Sequence, residues 1–149
     1  CLTRSFRFMG ANAAAERLFP GLVSMAPEDL VDLWFGPGPF RQVVENWREV
    51  VHTGLAMMRR EALRHPTPAL EALLGRMEVH ARGVPRPPAS DMPVICPILR
   101  VGDRRVRTIS AVMRFDTASE VTASELQVEM MFPADAESEA FFRSLAGAS

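Results

Sequence analysis

The stretch Arg107-Thr-Ile-Ser-Ala-Val-Met-Arg-Phe-Asp-Thr-Ala118, with Glu125-Leu-Gln-Val-Glu-Met-Met-Phe-Pro-Ala-Asp135 soon after it, decides the fold class. In the first, Ile109, Ala111, Met113 and Phe115 fall on one parity, and Thr108, Ser110, Val112 and Arg114 on the other. In the second, Leu126, Val128, Met130 and Phe132 alternate with Glu125, Gln127 and Glu129 until Pro133 stops the run. A period of two in β-branched and aromatic residues is the signature of a strand. A further β-rich run, 94–101, precedes them, and Gly102-Asp103 is a turn signal that predicts a hairpin with 105–116. Pro97 marks an edge or a bulge. Short connections between these strands favour an antiparallel sheet.

Upstream the period changes to that of a helix. A short strand is expected at 5–10, with Phe6 and Phe8 on one face, and Asn12 is placed to cap a helix through Phe19. Pro27 begins a second helix, with Glu28 and Asp29 in its electropositive first turn. Phe40, Val43, Val44, Trp47, Val50, Val51, Leu55 and Met58 recur at three- and four-residue steps, which predicts one long helix over 40–64. Thr67-Pro68 restarts a helix with Leu70, Leu73, Leu74 and Met77 inward, and Gly83 with Pro85-Arg-Pro-Pro88 ends it in a stiff link. Asp135 is placed to cap a last helix carrying Phe141, Phe142 and Leu145. The expected architecture is α+β: an antiparallel sheet with helices over one face, in a single domain.

The chain has 149 residues, 48% hydrophobic and 23% charged, the profile of a globular domain without a membrane-spanning run. Its net charge is -1 and its pI is near 6.4, which argues against a direct grip on nucleic acid. All 17 basic residues are arginine. Cys1 and Cys96 form neither a CxxC pair nor a metal-ligand cluster, so a reducing cytoplasm is expected, with no metal and no cofactor. The chain does not begin with methionine, and a further domain is expected upstream.

No phosphate-cradling loop, nucleophile elbow or zinc-protease motif is present. His52, His65 and His80 read as solvated or capping residues, and Cys96 as an inert strand thiol. Asp116, Glu120, Glu125, Glu129 and Asp135 lack a spacing that would fix an acid/base pair. Glu125 and Glu129 are better read as facing solvent or pairing with Arg107 and Arg114 across strands. Trp34, Phe40, Trp47 and Met58 with Met113, Phe115, Met130 and Phe132 suit one interior, either a packed core or an adaptable methionine-rich pocket. Arg59 and Arg114 are the candidates to meet an acidic head group at the rim of such a pocket.

Asn12-Ala-Ala-Ala-Glu-Arg-Leu-Phe19, Leu33-Trp-Phe35, Asn46-Trp-Arg-Glu-Val50 and the Pro93-Val-Ile-Cys-Pro97 … 107–118 … 125–135 block together resemble the MmyB-like ligand-binding domain of XRE-class helix-turn-helix transcription regulators. The resemblance implies a PAS-like fold enclosing a cavity for a small apolar or fatty-acid-like ligand, without catalytic residues. It implies a pocket of Trp47, Val51, Leu55, Met58 and Arg59 with Met113, Arg114, Phe115 and Met130. It also implies a homodimer that meets DNA only through the upstream domain and does not engage a membrane. Where many members carry a Ser/Phe/Trp/His pattern, this chain has Gly75-Arg-Met-Glu-Val-His-Ala-Arg-Gly83, so ligand identity does not carry over. Two competing functions are a dimerisation module with a filled core and an enzyme on an α+β cone-like scaffold.

Overall fold

A computed structural model describes residues 1–3, 5–88, 95–114 and 126–147. Phe115, Asp116, Glu120, Glu125 and the expected strand start at Val94 lie outside the described residues. The fold is α+β, as expected, with the chain divided into two compact units: residues 27–105, and residues 1–26 with 106–149.

In the 27–105 unit, α1 (Ala13–Leu18) having come before it, the helices are α2 (Pro27–Phe35), α3 (Phe40–Val43), α4 (Trp47–Arg64) and α5 (Pro68–Ala81). Thr67 caps α5 through Leu70 N–H, and Pro68 opens its first turn without wasting a donor. α5 packs against both α4 and α2. The single helix expected over 40–64 is two helices, because Val44 adopts an extended conformation (φ -89°, ψ 106°) and bridges antiparallel to Leu99. The next residues complete the splice. Glu45 N–H donates to Ile98 O (2.8 Å), Asn46 Nδ2 donates to Cys96 O (2.9 Å), and Asn46 Oδ1 accepts from Ile98 N–H (2.9 Å). Glu45 also draws Arg100 (2.9 Å) and Arg105 (2.7 Å) to its carboxylate. β2 (Ile98–Val101), shorter than the run 94–101, is thereby tied to the start of α4.

Trp47 fixes the orientation of α4. Its ring is buried, Nε1–H donates to the Trp34 carbonyl at the end of α2 (2.9 Å), and the Arg41 guanidinium stacks 4.3 Å from its centroid. Trp47, Val51, Leu55, Met58 and Ala62 form the buried stripe of α4, with Val51 at 0% and Met58 at 2% exposure. Gly54 allows α4 to approach α2: a Cβ there would stand 2.7 Å from Phe35 Cζ.

In the other unit the first strand is β1 (Leu2–Thr3), not 5–10. The chain turns immediately afterwards, with Thr3 N–H donating to Arg7 O (2.8 Å), Phe6 N–H to Thr3 O (3.0 Å), and Phe6 at φ 62°. Asn12 caps α1 through Ala15 N–H (2.9 Å). β3 (Arg104–Arg114), entered through the turn at Gly102 (φ 59°), and β4 (Leu126–Pro133) run antiparallel, and β4 also pairs with β1. α6 (Ala136–Gly147) packs on β4 and against α1. Asp135 caps α6 at Ser138 N–H (2.9 Å), and the buried Ser138 hydroxyl accepts from Arg107 N–H (2.8 Å).

One sequence expectation fails here. The inward side chains of β3 are Val106 and Thr108, whereas Ile109 (49%) and Met113 (43%) are exposed. With Ala111 and the register partners of the three, Phe132, Met130 and Val128, they make an apolar outer face. Arg107 pairs with Asp135 (3.7 Å), while Glu129 stands opposite Val112 and is exposed, which matches the solvent-facing alternative of the expectation.

Asn46→Asp is expected to lower unfolding free energy by about 1–3 kcal/mol in urea at neutral pH. It keeps the acceptor for Ile98 N–H but sets a carboxylate against the Cys96 carbonyl. Partial recovery below pH ~4, as the new carboxyl protonates, is the accompanying signature. An unchanged denaturation midpoint would show that the splice does not depend on Asn46.

Candidate functional site

α4 has a second face. His52, Leu55 and Arg59 follow at three- and four-residue steps, so they align in one stripe beside the buried one. Glu78 and Ala81 of α5 stand across from them, and Arg82 and Arg86 follow the helix end. Together they line an open groove of about 530 Å³. A second groove of about 490 Å³ runs along Glu49, Thr53, Ala56 and Arg60 and is closed by Pro87, Pro88 and Ile95. His52 and Arg86 border both. These volumes lie in the range of small-molecule sites.

The wall between the grooves is the segment after α5. It turns at Gly83 (φ 79°) and continues as Val84-Pro85-Arg86-Pro87-Pro88, whose prolines restrict the backbone. His52 Nε2–H donates to the Val84 carbonyl (3.2 Å), which fixes this segment on α4 and leaves Nδ1 as the other ring nitrogen. Arg59 is engaged: Nε and Nη2 both donate to Glu78 Oε1, at 3.1 and 2.7 Å. Among the described residues, the side chains of Arg60, Arg82 and Arg86 make no hydrogen bond or ion pair.

Of the residues expected to line a pocket, Leu55 and Arg59 reach the first groove. Trp47, Val51 and Met58 sit in the packed core of the same unit. In the other unit Met113 is exposed, Met130 is half-buried on the same sheet face, Arg114 is exposed on the opposite parity, and Phe115 lies outside the described residues. Sequence reading missed His52, Glu78, Arg82 and Arg86 as a group. The available signal was the 52-55-59 stripe followed by two arginines flanking a glycine-proline break.

The other polar cluster of the 27–105 unit is structural in its geometry. Asp32 of α2 accepts from Arg76 Nε (2.6 Å) and Nη2 and from His80 Nε2 (2.7 Å), both on α5. These hydrogen bonds, Arg76's above all, hold the Asp32 carboxyl well below the usual carboxylate range. His80 is thus a hydrogen-bond partner of Asp32 rather than a solvated or capping residue. His65 N–H closes the end of α4 on Glu61 O (2.9 Å). Cys96 is half-buried and outside any disulfide. Among the described residues no group of three or more histidine, cysteine, aspartate or glutamate side chains could hold a metal, and no helix is long and apolar enough to cross a membrane.

A carboxylate with a depressed folded pKa adds stability that is complete above its unfolded value of about 3.9 and lost as pH falls through the folded one. Asp32→Asn is therefore expected to lower the melting temperature at pH 7 by a few degrees at most, since the pair is partly solvated. The gap between variant and wild type should close on acidification from pH ~4 downward. A gap that stays constant across this range would assign the loss to packing.

Residues 1–145 match the family model described as MmyB-like transcription regulator ligand binding domain, and the chain belongs to that family. Comparison with curated proteins and with solved structures gives no match.

Proposed function

As the ligand-binding domain of a transcription regulator, this protein is, we propose, a sensor in which a small apolar or fatty-acid-like molecule lies in the groove along α4. The observation that carries this reading is the first groove, an open space of about 530 Å³ lined by Leu55 and Ala81 beside His52 and three arginines. An amphiphile is the class of molecule that matches both surfaces. The packed Trp47–Met58 stripe favours this open groove over the enclosed interior expected from sequence. Occupancy regulates only if the ligand prefers one conformation over another, and a helix that bears both a core face and the groove face supplies such an element. The finer reading is a PAS-like domain acting in the cytoplasm on an upstream helix-turn-helix, without catalysis or cofactor of its own. The α+β composition with antiparallel strands supports it.

Native mass spectrometry of protein titrated with dodecanoic acid tests the reading. A one-to-one adduct is expected, weakened about tenfold or more by Ala81→Phe, which fills the groove. Absence of any adduct, together with unchanged amide shifts along α4, would sink it.

The apolar sheet face supports a homodimer as well. Ile109, Met113 and Phe132 expose 49%, 43% and 48% of their surface without a charge among them, and a face of one kind can meet its own copy about a twofold axis. Sedimentation should give a dimer that Ile109→Glu/Phe132→Glu converts to monomer. A wild-type monomer at all concentrations would dismiss this arrangement.

A further inference from the structure

We propose that residues 44–46 are a two-state hinge: extended and spliced to β2 in this structure, and helical in a second state that joins α3 and α4 into one continuous helix over 40–64. The hinge belongs to the helical scaffold and does not depend on which molecule the groove holds.

The sequence across the break permits a helix. Gln42-Val-Val-Glu-Asn46 contains neither glycine nor proline. Phe40, Val44, Trp47, Val51, Leu55 and Met58 are all buried in the present arrangement. On a single helix turning about 100° per residue, they fall within about 80° of arc. Joining α3 to α4 therefore keeps one apolar stripe. The gap to be closed is also short. Val44 N–H already donates to Phe40 O (2.9 Å), and Val50 N–H to Asn46 O (3.2 Å), both of them helical steps. Between these bonds, the cap residues Val44 (ψ 106°) and Asn46 (ψ 37°) leave the helical range. A few element-terminal residues of this kind are where hinges absorb their change of backbone angle.

What opposes the join lies on β2 and just before it. Glu45 N–H on Ile98 O, the Asn46 amide on Cys96 O and Ile98 N–H, and the bridge between buried Val44 and buried Leu99 all belong to the spliced state. The two states exclude each other, because the single N–H of Glu45 serves either Ile98 O or the Arg41 carbonyl one turn back. Glu45 has cationic neighbours in both. Arg100 (2.9 Å) and Arg105 (2.7 Å) hold its carboxylate in the splice. A continuous helix sets it one turn from Arg41 and Arg48. The change exchanges strand-like pairing with β2 for helical bonds, and a ligand that prefers either arrangement shifts the ratio.

The test is NMR on the whole chain, reading Cα shifts and chemical-exchange saturation transfer at Val44 and Glu45. Wild type is expected to show a minor species with helical shifts at both. Asn46→Ala and Asn46→Gly remove the same two side-chain bonds, but alanine favours a helix and glycine does not. The helical population should rise about tenfold or more in Asn46→Ala. In Asn46→Gly it should be about fivefold lower than in the alanine variant. Helical populations that are equal in the two variants, or shifts that become disordered in both, assign the change to fraying and overturn the hinge. Extended Val44 shifts in Asn46→Ala, with no helical minor species in wild type, overturn it as well. If the variants do not fold, wild type decides alone: a helical minor species upholds the hinge, and flat exchange profiles overturn it.

Discussion

The side-chain amide of Asn46 carries the 27–105 unit. It presents one donor and one acceptor to the backbone at Cys96 and Ile98, the same pair of bonds a neighbouring strand would offer. With Val44 bridged to Leu99 and Glu45 N–H on Ile98 O, three consecutive residues act as a short strand inside what the hydrophobic spacing describes as helix. The consequence is positional. α4 begins afresh at Trp47, with its register set by that splice, and the register decides which side chains turn to the core and which to the groove. A continuous helix from Phe40 would have had no freedom to choose a new phase at residue 47.

From Trp47 onward α4 serves two environments. Its buried stripe meets α5 across a dense core, where Trp47 is pinned to the Trp34 carbonyl and Gly54 is bare so that Phe35 can sit against the helix. Its adjoining stripe at 52, 55 and 59 faces the groove. Leu55 belongs to both, being buried and yet part of the groove floor. The polar contacts along α5 sort by the same logic. Asp32 with Arg76 and His80 clamps α2 to α5, and Arg59 with Glu78 clamps α4 to α5, so the C-terminal half of α5 is held to both of its neighbours. The acidic Glu45, its carboxyl drawn below the ordinary range chiefly by Arg105, ties the splice to the residues that follow β2.

Much of this was written in local sequence. Caps at Asn12, Thr67 and Asp135 act over three residues, and each is found where the residue type placed it. The same holds for α2, α5 and the turn at Gly102. What was not legible is what depends on distant partners. The break at Val44 requires Leu99, 55 residues away, and nothing in the Phe40–Met58 periodicity announces it. Parity of β3 was misread because its more apolar face, Ile109, Ala111 and Met113, is the one turned outward. Thr108, the polar residue, is the buried one, while Ile109 and Met113 face outward. In the same way the groove joins residues 52–59 to 78–86, and each looked like an ordinary solvated side chain until α4 and α5 were laid side by side.

The unequal fate of the arginines shows why composition alone could not locate the site. All cationic side chains here are of one type, so residue identity separates nothing; only the partner does. Arg76, Arg100, Arg105 and Arg107 have carboxylates and act as struts. A paired carboxylate offsets the charge of such a guanidinium and occupies part of its donor fork. Arg82 and Arg86 differ by context: the helix has ended, Gly83 turns the chain, and both side chains line the groove. Partner and position, rather than the number of arginines, therefore separate the struts from the side chains that line the groove.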